Sequence, residues 1–182
     1  MFKPYRFSPV YDKDELLKAL RHIHFSSYKL CKQSFGEYLP NAGNIGFFCH
    51  YEDEFETLKK IRDKITQKSD NPDLKYYALL EPITIEAKDD VPETRYTHLY
   101  IRKPDIYRYQ VGDVDFYLGS GKYVELKTAM QNGKQVAGAR IFERPDLDMI
   151  ELFDPDIDVL AYVSTSKMTE KVRIKLSDAT KL

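Results

Sequence analysis

Hydrophobic side chains recur at helical spacing in two segments near the start of the chain. Leu16, Leu20 and Ile23 lie three or four positions apart, which is the spacing of one helix face. This pattern predicts a helix from about residue 13 to about residue 33. A second stripe follows a run of acids that suits the first turn of a helix. Its members are Phe55, Leu58, Ile61 or Arg62, and Ile65.

A period of two predicts strands in the rest of the chain. Between residues 95 and 102, Tyr96, His98 and Tyr100 alternate with the residues that would point to the opposite side. Pro82 interrupts an apolar segment, which predicts an edge strand or a bulge. We interpret the acidic segment 145–158 as one or two helical turns between prolines. Further strands are predicted at 45–49, 75–80, 83–85, 139–142, 159–163 and 171–176.

These elements define a fold class. Two helices come early, strands follow, and no internal repeat, low-complexity tract or linker is visible. The order predicts an α+β protein with two N-terminal helices packed on one mixed, mostly antiparallel sheet. A chain of 182 residues is long enough to bury a hydrophobic core, so we expect residues 1–182 to form a single domain.

Composition narrows the functional classes. Hydrophobic residues make up 42% of the chain and charged residues 31%, which is an ordinary globular balance. The net charge of -1 provides no overall field toward nucleic acid or membrane, so a polyanion would need a local patch. Cys31 and Cys49 alone cannot build a thiolate zinc site. With no signal peptide or membrane-spanning apolar segment, we expect a soluble, cytoplasmic protein with reduced thiols and no membrane partner.

The stretch from residue 113 to residue 127 carries the most suggestive chemistry. We interpret 113–118 and 123–127 as the strands of a hairpin joined by the glycine-containing residues 119–121. A three-residue loop places directly paired residues on the same face. One face then carries Val114, Phe116, Val124 and Leu126. The other face gathers Asp113, Asp115, Glu125 and Lys127.

Three carboxylates beside a lysine suit a divalent metal. Mg²⁺ binds carboxylate oxygens and water, and the bound water can attack a phosphodiester while a lysine stabilises the developing charge. An aspartate followed across a hairpin by Glu125-Leu-Lys127 resembles the core motif of the PD-(D/E)XK nucleases. The resemblance implies a Mg²⁺-dependent phosphodiesterase or nuclease. Its catalytic residues would be Asp115 (or Asp105), Glu125 and Lys127, and its metal ligands Asp113, Asp115 and Glu125.

The same charged face also has a plain structural interpretation, which we favour. An antiparallel sheet commonly exposes one polar face to solvent, and a cross-strand ion pair between Asp113 and Lys127 would contribute little to stability. The metal site makes a definite demand, because the side chains of Asp115, Glu125 and Lys127 must converge on one point.

A second candidate site is the loop within residues 100–109, where basic and tyrosine side chains interleave. Basic groups hold phosphates and aromatic rings stack on bases, so this loop could bind nucleic acid or a nucleotide. We favour the alternative that its arginines pair within the protein, because residues 146–158 contain six acids and no bases. The candidate binding residues are Arg102, Lys103, Arg108, Tyr107 and Tyr109.

Among the four histidines, His50 is the best candidate for a general base. It follows a predicted strand, precedes a predicted helix, and has an ordinary pKa near neutrality. A packed or helix-capping histidine is the more common outcome at such a junction, and we favour that interpretation.

Taken together, the sequence favours a binding or interaction module of undetermined activity. The alternatives are the Mg²⁺-dependent phosphodiesterase and the nucleic-acid or nucleotide binder, so whether the chain is an enzyme stays open. An edge strand near Pro82, or the predicted strand 171–176, could support a homo-oligomer.

Overall fold

A computed structural model describes residues 4–71 and 74–173 of the chain. Its helices are α1 (Lys13–Phe35), α2 (Glu52–Ile65), α3 (Ser120–Gln131) and α4 (Ser166–Arg173). Its strands are β1 (Asn41–Phe48), β2 (Tyr76–Ile85), β3 (Thr94–Arg102), β4 (Gly112–Tyr117), β5 (Ala139–Arg144), β6 (Leu147–Leu152) and β7 (Leu160–Ser164).

Helix α1 forms where the apolar spacing predicts it, and this prediction is confirmed. The side chain of Asp12 accepts a hydrogen bond from the backbone N–H of Glu15 at 2.8 Å, which caps the N-terminus. Gly36 ends the helix in the left-handed conformation, with a φ of 74° that suits glycine. The buried stripe of α1 includes Leu16, Leu20 and Ile23, each no more than 1% exposed.

The described strands form one seven-stranded sheet in the order β2-β3-β1-β4-β7-β6-β5. The pairs β1–β3 and β4–β7 are parallel, and the other neighbouring pairs are antiparallel. The predicted α+β class is therefore confirmed, and the sheet is mixed. Strand β2 lies at an edge, with a register shift between Ala78 and Ile83, as the position of Pro82 predicts.

The sheet contains a topological repeat that the sequence does not display. The segment β1-α2-β2-β3 places its last strand parallel to its first. The segment β4-α3-β5-β6-β7 does the same, with β7 parallel to β4. The two first strands, β1 and β4, pair antiparallel at the centre of the sheet. The molecule is thus two similar modules joined along one seam.

Helices α1, α2 and α3 cover one face of the sheet. Tyr28 of α1 packs edge-on against Phe116 of β4, with ring centroids 5.0 Å apart. Helix α2 lies against β2 and β3, and α3 reaches the same face through Tyr123, whose hydroxyl donates to Asp148 of β6. We call the opposite face the open face. It carries Asp113 and Asp115, and α4 lies over part of it.

The predicted hairpin is wrong, because its second strand is helix α3. Residues Tyr123 and Lys127 both bind Asp148, which requires the one-turn spacing of a helix. Tyr123 is 2% exposed and its neighbour Val124 is 60% exposed. A five-residue window is too short to separate the periods of strand and helix, and the glycines on either side of Ser120 flank the first residue of α3 rather than forming a hairpin loop.

Two further predictions need correction. Within the acidic segment, residues 147–152 form strand β6 rather than helical turns, and β6 pairs with β5 through a turn at residues 145 and 146. The predicted strand 171–176 is helical as far as Arg173, and its remainder lies outside the described residues. Every helix in the described ranges is too short or too polar to cross a membrane.

Candidate functional site: a tyrosine-lined pocket on the open face

Strand β4 is buried on both sides and carries two aspartates on the open face. Asp113 is 5% exposed and Asp115 is 3% exposed. Both border a cavity of about 200 Å³. We call this cavity the tyrosine pocket and define it by six of the residues that line it. They are Tyr76, Tyr100, Arg102, Asp113, Asp115 and Tyr162.

One row of paired residues across the sheet forms the base of the pocket. Tyr76 pairs with Tyr100, Tyr100 with Gly46, and Gly46 with Asp113. Neighbouring strands lie about 4.8 Å apart, so the row brings Tyr100 and Asp113 to opposite sides of a residue without a side chain. A Cβ atom at Gly46 would meet Oδ1 of Asp113 at 2.1 Å and Cδ1 of Tyr100 at 3.5 Å. Gly46 therefore makes room for the carboxylate.

The carboxyl group of Asp113 is buried and incompletely bonded. Its Oδ1 atom has no hydrogen-bond partner, and Asp113 makes no ion pair within residues 4–71 and 74–173. Burial raises the pKa of Asp113 well above its usual value, and the charge of Asp115 raises it further. Arg102 and Arg108 oppose this shift in pKa only in part. Asp113 therefore keeps its proton to a higher pH than an ordinary aspartate does.

Asp115 has a different environment. Burial raises its pKa to about 6, opposed by a hydrogen bond from Asn44 and by the charge of Arg173. The Nδ2 atom of Asn44 donates to Asp115 at 2.8 Å, and Nε of Arg173 donates to Oδ1 of Asn44 at 2.8 Å. Helix α4 thus orients the amide of Asn44 toward the carboxylate. Among the described residues, Asp115 accepts a hydrogen bond from Asn44, whereas Oδ1 of Asp113 has no hydrogen-bond partner.

Aromatic side chains border the aspartates on both sides. The rings of Tyr76 and Tyr100 have centroids 5.4 Å apart on one side. The rings of Phe142 and Tyr162 have centroids 5.6 Å apart on the other. Phe48 also lines the cavity. The pocket therefore combines buried carboxyl groups with aromatic walls.

The arginines next to the pocket bind other acids. Arg102 donates to Asp105 at 2.5 Å, and its guanidinium lies 4.7 Å from the ring centroid of Phe48. Arg108 lies 3.8 Å from Glu151, a fully buried residue. Glu151 also accepts hydrogen bonds from Nε of Arg140 at 2.7 Å and from the hydroxyl of Tyr162 at 2.9 Å.

The structure separates the residues proposed for the metal site. Glu125 lies exposed on α3. Lys127 donates to Asp148 at 2.8 Å and to Glu143 at 3.2 Å, on the helix-covered face. Asp113 and Asp115 lie on the open face, so the demanded convergence does not occur. Within the described ranges, no group of three or more histidine, cysteine or acidic side chains could hold a metal ion.

The basic-tyrosine loop divides into two sets of side chains. Arg102 and Arg108 line the pocket, and the contact of Arg108 with Glu151 is an intramolecular pairing of the kind the acidic segment predicts. Tyr107 is 87% exposed and Tyr109 is 52% exposed. Lys103 is also exposed. The loop therefore does not present its arginines and tyrosines together as one platform.

His50 packs against the N-terminal segment at the strand-to-helix junction. Its ring stacks on Tyr5 with centroids 3.8 Å apart, and its Nδ1 lies 2.8 Å from the hydroxyl oxygen of Ser8. Its backbone N–H donates to the carboxylate of Glu54 at 2.7 Å. Burial lowers the pKa of His50. The residue does not border the tyrosine pocket.

The sequence pattern indicates Asp113 and Asp115 as candidate site residues, but it does not indicate the residues that surround them in the pocket. Asn44, Gly46, Tyr76 and Tyr162 come from three strands that only the fold brings together. One signal was available, because Asp113 and Asp115 alternate with Val114 and Phe116 in a strand that could be central. A charged residue in a central strand is buried and therefore of interest.

The sequence matches no protein-family model, and no curated protein matches it. A solved structure described as protein EC4020, from structural genomics, superposes with a TM-score of 0.54 at 12% identity. The match covers 93% of this chain and 96% of that one, and it shows a likeness of fold alone.

A variant of Streptomyces coelicolor methylmalonyl-CoA epimerase, in complex with 2-nitronate-propionyl-CoA, gives a TM-score of 0.33 at 14% identity. That match covers 69% of this chain and 98% of the epimerase chain. A score this low supports no statement about the chemistry of this chain.

Proposed function

We propose that the chain binds a small organic molecule in the tyrosine pocket. The observation that carries this proposal is the buried Oδ1 atom of Asp113, which borders the cavity and has no hydrogen-bond partner in the described residues. A buried polar atom left unpaired costs about 1–3 kcal/mol of stability. A ligand that donates a hydrogen bond to Oδ1 would offset that cost.

The arrangement of the pocket supports a small ligand. A cavity of about 200 Å³ has the volume of roughly seven water molecules, each occupying about 30 Å³ in the liquid. Small-molecule sites combine apolar or aromatic walls with a few convergent polar groups. Here the aromatic rings supply the walls, and Asp113, Asp115 and Arg102 supply the polar groups.

The seam between the two modules supports the same location. Gly46 and Asp113 face each other across the β1–β4 pair, so residues from both modules contribute to one cavity. Strong shifts in pKa at buried groups beside a cleft are typical of functional sites. The raised pKa values of Asp113 and Asp115 are of this kind.

A thermal-shift screen tests the proposal. The wild-type protein is heated with a panel of small amines, amides, sugars and nucleosides, and the hits are repeated with Asp113→Asn. Glu125→Gln is the matched control, since it removes an exposed carboxylate on the far side of the sheet. We expect hits that raise the melting temperature of the wild type and of Glu125→Gln but not of Asp113→Asn. Hits that are indifferent to Asp113 would contradict the proposal.

A further inference from the structure

The geometry points to a small organic cation, such as a substituted ammonium ion, as the class of ligand that the tyrosine pocket binds. This inference rests on the proposed function and specifies it. It follows from three features of the pocket: the aromatic walls, the carboxyl groups between them, and the partners of the neighbouring arginines.

The aromatic walls are the first argument. A cation is attracted to the face of an aromatic ring, and cages of such rings recognise quaternary ammonium groups. Tyr76 and Tyr100 lie on one side of the aspartates, and Phe142 and Tyr162 lie on the other. The protein already uses this interaction at the same cavity, because the guanidinium of Arg102 lies 4.7 Å from the ring centroid of Phe48.

The balance of charge is the second argument. Arg102 is held by Asp105, and Arg108 and Arg140 both contact Glu151. Arg173 donates to Asn44 and to the backbone carbonyl of Ala42. In the described ranges, none of these arginines forms an ion pair with Asp113 or Asp115. The aspartates are thus acidic groups next to the cavity that lack a cation in contact.

The third argument concerns the alternatives. An anion could contact Arg102 and Arg108, but it would then lie against the two aspartates and compete with Asp105 and Glu151 for the arginines. A neutral ligand could satisfy Oδ1 of Asp113, but the ring faces of the walls would attract it less strongly than they attract a cation. A cation can pair with the carboxylate of Asp113 and, at the same time, interact with the faces of the aromatic rings.

Binding of a cation must then be coupled to the release of a proton from Asp113. The pKa of Asp113 is raised in the free protein and a bound cation would lower it, so a protonated carboxyl group releases its proton to solvent as the ligand enters. The groups that face Asp113 take part in this balance. They are Asp115 on β4, Tyr76 on β2, Tyr100 and Arg102 on β3, Tyr162 on β7, Glu151 on β6, and Arg108 in the loop before β4. Arg173 on α4 acts on the neighbouring Asp115.

Isothermal titration calorimetry with a matched pair of probes tests this inference. Choline chloride supplies a quaternary ammonium group, and 3,3-dimethylbutan-1-ol has the same shape with a neutral carbon in place of nitrogen. Sodium acetate tests for an anion, and sodium chloride controls for ionic strength. Each probe is titrated into the wild type, Asp113→Asn and Glu125→Gln.

We expect choline to bind the wild type and Glu125→Gln, and to bind Asp113→Asn at least about thirtyfold more weakly. The neutral alcohol should bind more weakly than choline, and choline affinity should rise with pH as Asp113 loses its proton. Titrations in buffers with different heats of ionisation should show proton release in the wild type and in Glu125→Gln, and none in Asp113→Asn.

Three results would overturn the inference. The neutral alcohol could bind as tightly as choline in a manner that depends on Asp113, or acetate could bind in place of choline. In both cases the proposed small-molecule site would stand and only its charge class would be wrong. Choline could also fail to bind at all, and the screen of neutral and cationic molecules would then decide separately whether the proposed function survives.

Discussion

A Cβ atom at Gly46 would lie 2.1 Å from Oδ1 of Asp113, so the absence of one side chain makes the space that the other occupies. The two residues pair across the β1–β4 seam. Their relationship explains how a charged side chain can enter the middle of a sheet. It also makes Gly46 a position where a single methyl group should disrupt the pocket and leave the helix-covered core untouched.

Replacing Gly46 with alanine should displace the carboxylate of Asp113 and abolish ligand binding in the tyrosine pocket. Because the contact is with the end of a side chain, we expect a moderate loss of stability, about 1–3 kcal/mol, typical of overpacking. Chemical denaturation measures the stability, and calorimetry with choline measures the binding.

Gly121→Ala is the matched control for this substitution. Gly121 lies in α3, and a Cβ atom there would meet nothing within 4 Å. Alanine suits a helix better than glycine, so we expect a neutral or slightly stabilised protein with unchanged binding. If the two alanine variants behave alike, Gly46 does not position Asp113.

Asp113→Asn should stabilise the protein at neutral pH and abolish ligand binding in the tyrosine pocket. The folded-state pKa of Asp113 is raised, so the folded protein holds a proton that the unfolded chain releases above its usual pKa of 3.8. The contribution of Asp113 to stability is therefore complete below that value and is lost as pH rises through the folded pKa. Asparagine has no such dependence, so we expect Asp113→Asn to gain stability relative to the wild type as pH rises toward 7.

Urea denaturation of both proteins between about pH 4 and pH 8 measures this difference. The stability of the wild type relative to Asp113→Asn should fall steadily as pH rises across the range. A constant difference would show that Asp113 has no raised pKa in the folded protein.

His24 should make the protein sensitive to acid. It is fully buried, its Nδ1 lies 2.8 Å from the hydroxyl of Tyr96, and burial lowers its pKa from 6.5 to about 4. Between pH 6.5 and about pH 4, His24 binds a proton in the unfolded chain but not in the folded protein. Stability is therefore lost as pH falls through this range, by at most about 3 kcal/mol. His98 acts in the same direction, because burial lowers its pKa too.

The variant His24→Gln isolates this effect, since glutamine keeps a polar group and does not titrate. We expect it to be less stable than the wild type near pH 7.5 because packing is lost, and to lose less stability on acidification. Denaturation midpoints at several pH values give the two slopes. Equal slopes would mean that His24 does not carry the acid sensitivity.

Addition of Mg²⁺ or Mn²⁺ should leave the melting temperature unchanged. Asp113 and Asp115 are the only carboxyl groups of the proposed metal site that the described structure places on the open face, and the raised pKa of Asp113 opposes the carboxylate form that a metal ion needs. A ligand that binds the folded state must raise the melting temperature. An increase that disappears in Asp115→Asn would restore the metal-dependent interpretation of these aspartates.

Short sequence patterns predicted helix α1, strand β3 and the edge position of β2. The stripe of Leu16, Leu20 and Ile23 identified α1, and the alternation around Tyr96 identified β3. Pro82 marked the edge strand because proline cannot donate to a sheet. In each case the deciding feature lies within about ten residues, where periodicity and backbone chemistry are informative.

The pocket depends on contacts that no local pattern contains. Gly46 and Asp113 are brought together by the antiparallel pairing of β1 and β4, and Tyr162 joins them through the parallel pairing of β4 and β7. The alternation of Asp113 and Asp115 with apolar residues suggested an exposed polar face. Burial on both sides of β4 reversed that interpretation, because other parts of the chain cover the second face.

The protonation state of Asp113 tests the central claim most directly. Carboxyl-carbon NMR of protein labelled with ¹³C-aspartate, assigned with Asp113→Asn, follows this group as choline is added near pH 7. We predict that the Asp113 carboxyl is protonated in the free protein and ionises as the ligand binds. A signal that is already ionised in the free protein and does not move on titration would contradict the account.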